Sequence, residues 1–331
     1  MRKLASIQKI SNLLPIKDKD EIELAIINGW QVIVTKGYNI GDLIVFCEPD
    51  SVLPKKEEFK FLANRNYIIK TIKMFGICSQ GICFPLSILP ENNYKIGDDV
   101  TDIIGITKYE TDEKFIIKRK WYEKLFKHDT TFPSFIIKTD EERIQNIPDI
   151  VNTYNKWSAT EKLDGCSATY FLKRTGKLFK KYDFGICSRN FRVNNSYYSS
   201  IALKYDIEHA LKKLIKNHNV VYIQGEIIGP KIQNNKYKLK EYMFFVFNIV
   251  IDGVKLSNDS SELCATRLKL NHVPIIYSDI DLSGFTCEEV LTLAEGDSVV
   301  NPNIQREGLV FRNNNNSFQA VSKKFLINYN E

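Results

Sequence analysis

The chain contains 331 residues, of which 44% are hydrophobic and 26% charged, and its formal net charge is +6. This length favours two domains, and the mild positive charge suits a partner that carries phosphates but excludes a strongly basic tail. Seven cysteines without a Cys-x-x-Cys pair and four histidines without ligand spacing argue against a disulfide framework and a structural zinc site. We therefore expect a reducing compartment.

Two further features bear on membranes and on location. Residues 1–4 do not lead into an apolar core of the signal-peptide type. The longest apolar run, residues 243–251, is interrupted by Asn248 and is too short to span a bilayer. We predict a cytoplasmic protein that does not contact a membrane and that acts as a monomer.

Residues 1–108 consist of short β-rich runs separated by turns. A β-branched run at residues 31–35 and an apolar run at residues 43–47 flank a turn at residues 38–42, which predicts a β-hairpin. Several short strands in such a length are typical of a small barrel or sandwich, with an OB-like barrel as one option. We predict an N-terminal β-barrel domain over residues 1–108.

Residues 109–130 combine basic and aromatic side chains, which leaves two interpretations open. The basic residues can follow a phosphate backbone while the aromatic residues stack on bases. Equally, the segment can be an amphipathic linker whose aromatic residues pack on a domain. We predict a basic and aromatic linker here, followed by a second domain over residues 131–331.

Helices of the second domain are predicted from capping boxes and from apolar periodicity. Thr139 with Glu142 predicts a short helix that Pro148 ends, and Thr286 with Glu289 predicts another. An apolar stripe predicts an amphipathic helix at residues 206–217. Apolar or β-rich runs predict strands at residues 220–228, 242–251 and 309–312.

Lys162 lies in the pattern Lys-x-Asp-Gly at the end of a predicted strand. Alone this motif is weak, because it also occurs as an exposed turn. It heads an ordered series of further motifs, at residues 187–190, 224–230, 244–249, 306–311 and 317–325. The order and spacing resemble motifs I, Ia, III, IIIa, IV and V of the covalent nucleotidyltransferases, which include RNA ligases, DNA ligases and capping enzymes.

The likeness is strongest to RNA ligases. Residues 225–233, Gly-Glu-x-x-Gly-Pro-x-Ile-Gln, are typical of RNA ligases that seal nicks. Likeness to the Naegleria-type RNA ligase family, including its OB domain, lies at residues 29–30, 41–42, 79–81, 132–135 and 140–146. The resemblance implies an α+β protein in which an N-terminal OB-like β-barrel precedes a nucleotidyltransferase domain of antiparallel sheets with flanking helices, an ATP-grasp-like ligase core.

The resemblance also implies a reaction, with RNA repair and nick sealing as its expected use. An ATP-dependent RNA ligase transfers AMP from ATP to a lysine and then to a 5′-phosphate RNA end, which it joins to a 3′-hydroxyl. The expected cofactors are ATP and a divalent metal, Mg²⁺ or Mn²⁺, and the expected partner is RNA with these two ends. A protonated lysine is a poor nucleophile, so the site must lower its pKa by desolvation or by nearby positive charge.

The roles implied by the resemblance fall on the motif residues. Lys162 is the expected nucleophile, and Arg189 is expected to hold a phosphate or the acceptor end. Glu226 is expected to bind the ribose hydroxyls or the metal's water shell. Asp164 and Glu307 are expected to orient metal-bound waters. The remaining expected nucleotide contacts are Glu161, Phe247, Gln319 and Lys324.

Phe247 is the residue expected to stack on adenine, although a phenylalanine in a strand is more often part of a core. Strand alternation places Phe245 on the same face as Phe247 and puts Phe244 and Val246 on the other. Phe245 is therefore expected near the base, and Phe244 in packing.

One motif departs from the family pattern. Motif V usually opens with a lysine that meets the α-phosphate, but this position is Gln319, and a second lysine two places later corresponds to Val321. A lost charge-assisted hydrogen bond costs about 1.5–3 kcal/mol, or roughly ten- to a hundred-fold in rate. Lys323 and Lys324 follow closely in sequence, so either is a candidate substitute.

Two alternative functions stay open. A capping guanylyltransferase or a DNA ligase shares these motifs, but usually carries its OB domain after the transferase domain. The other alternative is a ligase-like protein that binds RNA ends and whose adenylylation is weakened by Gln319. The presence of Lys162, Glu226 and Glu307 argues against a pure binding protein.

Overall fold

The computed structural model of the protein describes residues 3–91, 93–109, 131–176, 181–193, 196–313 and 315–329. The predicted basic and aromatic linker lies outside these residues, apart from Tyr109. The N-terminal elements are β1 (Ala5–Lys9), β2 (Asn12–Ile16), β3 (Lys19–Ile27), β4 (Trp30–Thr35), β5 (Leu43–Cys47), β6 (Ser51–Val52), β7 (Ile68–Ile69), β8 (Ile72–Met74), β9 (Ile77–Ser79), β10 (Ile82–Pro85), α1 (Thr101–Ile104) and β11 (Thr107–Lys108), with 3₁₀ helices at Glu57–Arg65 and Leu86–Ile88.

Strand β5 lies between two apolar clusters of the N-terminal region. Val45 and Cys47 belong to one cluster, and Ile44 and Phe46 belong to the other. Successive side chains of a strand point to opposite faces, so β5 contributes to both clusters. It pairs antiparallel with β1 and β10, while β2, β3 and β4 form a second antiparallel sheet. Strand β5 thereby joins the two clusters into one β domain.

The predicted hairpin between β4 and β5 is wrong. Strand β4 pairs with β3, whereas β5 pairs with β1 and β10. The segment between them crosses from one sheet to the other: the Lys36 N–H donates to the Glu21 carbonyl (2.9 Å), and the Gly41 N–H donates to the Ile10 carbonyl (2.9 Å). The apolar runs locate these strands but do not specify their partners.

The second domain contains two sheets. Its elements are β12 (Glu142–Arg143), β13 (Trp157–Lys162), β14 (Cys166–Arg174), β15 (Tyr182–Cys187), α2 (Ser196–Lys204), α3 (Ile207–Leu214), β16 (Val220–Ile228), β17 (Met243–Ile251), β18 (Val254–Lys255), α4 (Asn258–Arg267), β19 (Asn271–His272), β20 (Ile275–Ile280), α5 (Cys287–Leu293), β21 (Gly308–Arg312), β22 (Ser317–Val321) and α6 (Lys323–Tyr329), with 3₁₀ helices at Ile144–Asn146, Pro148–Thr153 and Gln233–Asn235. The five-stranded sheet has the order β12-β22-β21-β13-β20, and the six-stranded sheet has the order β15-β14-β16-β17-β18 with β19 beside β17. This arrangement confirms the predicted α+β class.

Each sheet packs one face on helices. In the six-stranded sheet, Tyr170 and Phe244 belong to a buried cluster that also contains side chains of α2, α3 and α4. In the five-stranded sheet, Phe311 and Phe318 pack with Val290 of α5. The opposite faces of the two sheets approach each other, and the candidate site lies between them.

Two of the predicted helices of the second domain are confirmed. Helix α3 lies within residues 206–217, as the apolar stripe predicts. The capping box that opens α5 is confirmed, because the Thr286 hydroxyl accepts the Glu289 N–H and the Glu289 carboxylate accepts the Thr286 N–H. Within the residues that the structure describes, no helix is both long and apolar enough to cross a membrane.

The helix predicted from Thr139 is wrong. Glu142 lies in the short strand β12, which runs parallel to β22 at the edge of the five-stranded sheet. Its carboxylate accepts a hydrogen bond from the Asn146 amide (2.7 Å) and from the Arg143 N–H (3.1 Å), not from a helix N-terminus. Pairing with the sheet edge has overridden the local capping pattern.

The N-terminal domain packs on this same sheet edge. The Trp30 indole N–H donates to the Asn146 side chain (3.3 Å), whose amide donates to Glu48 (2.6 Å). The Arg143 guanidinium lies 5.3 Å from the Trp30 ring and pairs with Asp50 at 3.7 Å. These polar contacts fix β12 between the two domains.

Candidate active site

The candidate site begins where β13 ends. Lys162 is the last residue of β13 and lies opposite Gly308, the first residue of β21. Glu307 directly precedes Gly308, and Asp164 follows two residues after Lys162. Since the register sets the end of β13 against the start of β21, two motifs that are far apart in sequence meet at one point.

Two glycines allow the backbones to approach closely here. A Cβ at Gly165 would lie 2.3 Å from the Ile227 carbonyl oxygen, and a Cβ at Gly308 would lie 2.1 Å from the Ala320 carbonyl oxygen. No side chain fits at such distances, so both positions require glycine. The Lys-x-Asp-Gly turn can therefore contact β16, the strand that carries Glu226.

Lys162 lies in a cluster of opposite charges, which we call the charge cluster. Its Nζ forms an ion pair with the Glu307 carboxylate, and the Lys236 Nζ forms one with Asp164. These four side chains are at most 26% exposed. Glu226 completes the cluster, since its carboxyl is influenced by the charges of Lys162 and Glu307.

Two acidic residues of the charge cluster, Glu226 and Glu307, have raised pKa values. Burial raises the pKa of Glu226 to about 8, and the nearby Lys162 charge offsets only part of this effect. Burial also raises the pKa of Glu307, against the lowering effect of Lys162. A raised carboxyl pKa means that the charged form lacks stabilisation, so the cluster can accept further positive charge.

The donor atoms of the charge cluster fit a divalent cation. Glu307 Oε2 is buried and has no hydrogen-bond partner among the residues that the structure describes. Mg²⁺ and Mn²⁺ prefer oxygen ligands, and Mg²⁺ usually keeps several waters. Across the described residues, no group of three or more His, Cys, Asp or Glu side chains is arranged to hold a metal on its own. The residues therefore fit a metal that Asp164 and Glu307 would hold partly through water.

A polar group beyond Lys162 lines the same face of the five-stranded sheet. The Arg312 guanidinium donates to Thr160 Oγ1 (3.2 Å) and to Glu141 Oε1 (3.2 Å). It also lies 6.0 Å from the ring of Phe247, which is partly exposed here. The Gln319 side-chain amide donates to the Glu141 carbonyl. Phe247, which belongs to β17 of the other sheet, thus presents to this face a ring that is available for stacking, while Gln319 is bound to main chain.

The predicted alternation along β17 is confirmed. Phe245 and the partly buried Phe247 pack in one cluster with Leu163, directly after the predicted nucleophile. Phe244 and Val246 belong to the other cluster, among the helices. Phe247 therefore lies on the side of β17 that faces the charge cluster.

Arg189 lies at the rim of the site, 51% exposed. Its guanidinium pairs with Asp140 at 2.7 Å, and Asp140 also pairs with Lys108 of the N-terminal domain. The Arg189 charge still acts on the Glu226 carboxyl. A phosphate that enters here would compete with Asp140 for the same guanidinium.

The side chains of two expected nucleotide contacts, Glu161 and Lys324, are directed away from the charge cluster. Glu161 points to the opposite face of β13 from Lys162, and its buried carboxylate accepts the Val299 N–H (2.9 Å). Lys324 is exposed and pairs with Glu295 at 2.8 Å. The structure brings neither side chain together with Lys162.

Two residues of the site are missed by the sequence motifs. Lys236 pairs with Asp164, and the Tyr237 hydroxyl accepts the Asp164 N–H (2.8 Å). Both lie in the loop between β16 and β17, shortly after the motif at residues 225–233. Their position in the sequence is the signal that could have found them. Lys236 and Tyr237 directly follow the short helix at Gln233–Asn235, which begins at the last residue of that motif.

Comparisons with known proteins agree with this geometry. A family model described as an OB-fold domain matches residues 4–86, and the RNA ligase family model matches residues 155–326. No match was found among curated proteins. The predicted order, with an OB domain ahead of a ligase domain, is confirmed.

Solved structures of Naegleria gruberi RNA ligase are similar to the chain over nearly its whole length. The ligase with PPi is 32% identical, with a TM-score of 0.80 and coverage of 98% of both chains. A lysine-to-methionine variant with AMP and Mn is 31% identical, with a TM-score of 0.81 and coverage of 98% of both chains. A lysine-to-alanine variant with ATP and Mn is 31% identical, with a TM-score of 0.80 and the same coverage. The chain therefore belongs to the RNA ligase family.

Proposed function

We propose that this protein is an ATP-dependent RNA ligase that joins 3′-hydroxyl and 5′-phosphate RNA ends through a lysyl-AMP and an RNA-adenylate. The observation that carries the proposal is the position of Lys162, held by Glu307 beside Asp164 and Glu226 in a domain of the RNA ligase family. The similar Naegleria ligase structures contain ATP, AMP and PPi, the substrate and the products of such a transfer.

The first step is the transfer of AMP to Lys162. Its Nζ must lose a proton before it can attack, and Glu307 accepts the hydrogen bond from this atom. Burial raises the pKa of Glu307, which makes its carboxylate a better proton acceptor. The Nζ–phosphorus bond then forms at the α-phosphate, and the bond to the bridging oxygen breaks. Pyrophosphate leaves with the electron pair.

The nucleotide would lie between the two sheets. We propose that the Phe247 ring stacks on adenine and that Glu226 binds the ribose hydroxyls or the metal's water shell. When bound, a divalent metal would stabilise the charge that develops on the phosphoryl oxygens. Asp164 and Glu307 would hold its water ligands.

The later steps use the same centre. A phosphate oxygen of the 5′ end attacks the adenylate phosphorus, and the Lys162 nitrogen leaves. The 3′-hydroxyl then attacks the 5′-phosphate, and AMP leaves with the electron pair. Arg189, at the rim and paired with the exposed Asp140 carboxylate, is the proposed contact for the incoming phosphate. We further propose that the protein is a cytoplasmic monomer. Its proposed parts are the β-barrel domain over residues 1–108, the linker over residues 109–130 and the ligase domain over residues 131–331.

Labelling with α-³²P-ATP and Mg²⁺ or Mn²⁺ tests the proposal. The intact protein should become covalently labelled, and Lys162→Ala should abolish the label. GTP in a parallel reaction distinguishes a guanylyltransferase, and a nicked RNA duplex beside a nicked DNA duplex distinguishes a DNA ligase. No label with either metal, or a preference for GTP, would contradict the proposal.

The same assay separates ligase activity from simple end binding. A nicked RNA duplex with a pre-adenylylated 5′ end bypasses the first step. Sealing of this substrate alone would indicate that the chain lacks effective adenylylation, and Gln319 would then be the first residue to change.

A further inference from the structure

Strand β22, which carries motif V, places no positive charge on the nucleotide face of the sheet. Gln319 pairs with Val310 and Val321 pairs with Gly308, which lies opposite Lys162. The side chains of Gln319 and Val321 therefore lie on the same face as Lys162. One is a neutral amide bound to main chain, and the other is a buried hydrocarbon.

The two lysines that follow β22 do not replace this charge. Lys323 pairs with Glu288 of α5 at 2.7 Å, and Lys324 pairs with Glu295 at 2.8 Å. Helix α5 packs on the opposite face of the five-stranded sheet. Both ammonium groups are therefore bound on the side of the sheet away from Lys162, so neither candidate substitute from the sequence is in place.

Lys236 reaches the charge cluster from a different loop. Its Nζ pairs with Asp164 and lies 4.8 Å from the Phe325 ring and 5.9 Å from the Tyr329 ring. The side chain is 13% exposed, and its charge acts on Glu307. Lys236 thus presents a nearly buried ammonium beside the partners of Lys162, held by two rings of the helix that follows motif V.

We propose that Lys236 supplies the positive charge that motif V lacks, and that its ammonium contacts the ATP phosphates during transfer to Lys162. The aromatic rings fix the side chain but leave its charge uncompensated when a metal occupies Asp164. The ammonium keeps its proton throughout, and stabilises charge on the phosphoryl oxygens while the bond to pyrophosphate breaks. The inference rests on the proposed ligase function and assigns a residue to its first step.

The first test compares Lys236→Met with the wild type in single-turnover labelling with α-³²P-ATP. A lost charge-assisted contact should slow labelling at saturating ATP by roughly ten- to a hundred-fold. Lys236→Arg keeps the charge and should label faster than Lys236→Met. Lys212→Met is the matched control, because Lys212 pairs with Glu208 on the surface of α3 and should label at the wild-type rate.

The second test asks whether the charge itself matters. If Lys236 acts as the missing cation, Lys236→Met combined with Gln319→Lys should recover at least about ten-fold in labelling rate, since a lysine at 319 restores the charge. If Lys236 merely positions Asp164, a lysine at position 319 on β22 would not restore the labelling rate of Lys236→Met. Thermal unfolding of each variant shows whether it is folded, and the neutral polar variant Lys236→Gln carries both tests if Lys236→Met is not.

The outcomes separate the two proposals. An unlabelled wild type contradicts the ligase function itself. A labelled wild type with Lys236→Met at the same rate overturns the role of Lys236 and leaves the ligase function intact. A slow Lys236→Met that Gln319→Lys does not rescue also overturns it, because the lysine then acts only by holding Asp164.

Discussion

Neighbouring residues of β21 and β22 serve opposite faces of the five-stranded sheet. Phe311 and Phe318 are fully buried against α5, with ring centroids 4.9 Å apart. Arg312 and Gln319, the next residues along each strand, face the nucleotide side and bind Glu141. One face is an apolar core, and the other is a network of buried polar groups.

The difference between the two faces indicates which residues stabilise the free protein and which ones are completed by the ligands. Burial of aromatic rings stabilises the fold without a ligand. Buried polar groups stabilise little unless each finds a hydrogen-bond partner. On the nucleotide face, Arg312 Nε and Glu307 Oε2 have none within the described part of the chain. We therefore expect the core face to set the stability of the free protein, and the nucleotide face to be completed by its ligands.

The largest effect on stability is expected from Phe318→Ala. Removing a buried ring from the core face should lower the free energy of unfolding by about 3–5 kcal/mol. Gln319→Ala, one residue further on, removes a hydrogen bond and should cost only about 0.5–1.5 kcal/mol. Urea unfolding of both variants measures the contrast, and equal losses would show that the two faces do not differ as described.

The second-largest loss of stability is expected when the buried ion pair between Arg312 and Glu141 on the nucleotide face is broken. Arg312→Met removes the guanidinium that pairs with the Glu141 carboxylate, although the Ser317 hydroxyl still donates to that carboxylate. The change should cost about 3 kcal/mol, the lower end for a buried pair, because Glu141 keeps this hydrogen bond and is 16% exposed. Adding Glu141→Gln should recover part of this loss. A double variant that is no more stable than Arg312→Met would mean that the pair does not account for the effect.

Much of this contrast could be predicted from the sequence. The motif series predicts the convergence of Lys162, Asp164, Glu226 and Glu307, because catalytic chemistry restricts residue type and order. The alternation of side chains along a strand places Phe244 and Phe247 on opposite faces, and this follows from their positions in the sequence alone.

The remainder depends on contacts that local patterns do not encode. Strand pairing decides the partners of β4 and β5, and the pattern around Thr139 is overridden by the edge of a sheet. Lys236 was missed because its role depends on the path of a loop and on the rings of α6. Similarly, Lys324 is near motif V in sequence, but α6 directs it elsewhere.

A smaller, pH-dependent effect is expected at Glu226. Its pKa in the folded protein, about 8, lies above the ordinary value of 4.5, so the folded state binds more protons between these values and stability falls as the pH rises. Relative to Glu226→Gln, full linkage between these pKa values would remove about 3–4 kcal/mol from the wild type between about pH 5 and pH 8. Because the Glu226 side chain is partly exposed, solvent screening reduces the expected loss to roughly 2 kcal/mol. Urea unfolding with a chelator present measures this, and a pH-independent difference between the two proteins would contradict it.

The smallest effect is expected from Lys324→Ala. Its ammonium is exposed and bound to Glu295, away from Lys162, although the family resemblance places Lys324 among the nucleotide contacts. Surface ion pairs contribute little, so single-turnover labelling with α-³²P-ATP should stay within about two-fold of the wild type. Lys162→Ala, which should lose all label, is the control. A ten-fold or larger drop would mean that α6 moves when ATP binds, and that Lys324 rather than Lys236 provides the missing charge of motif V.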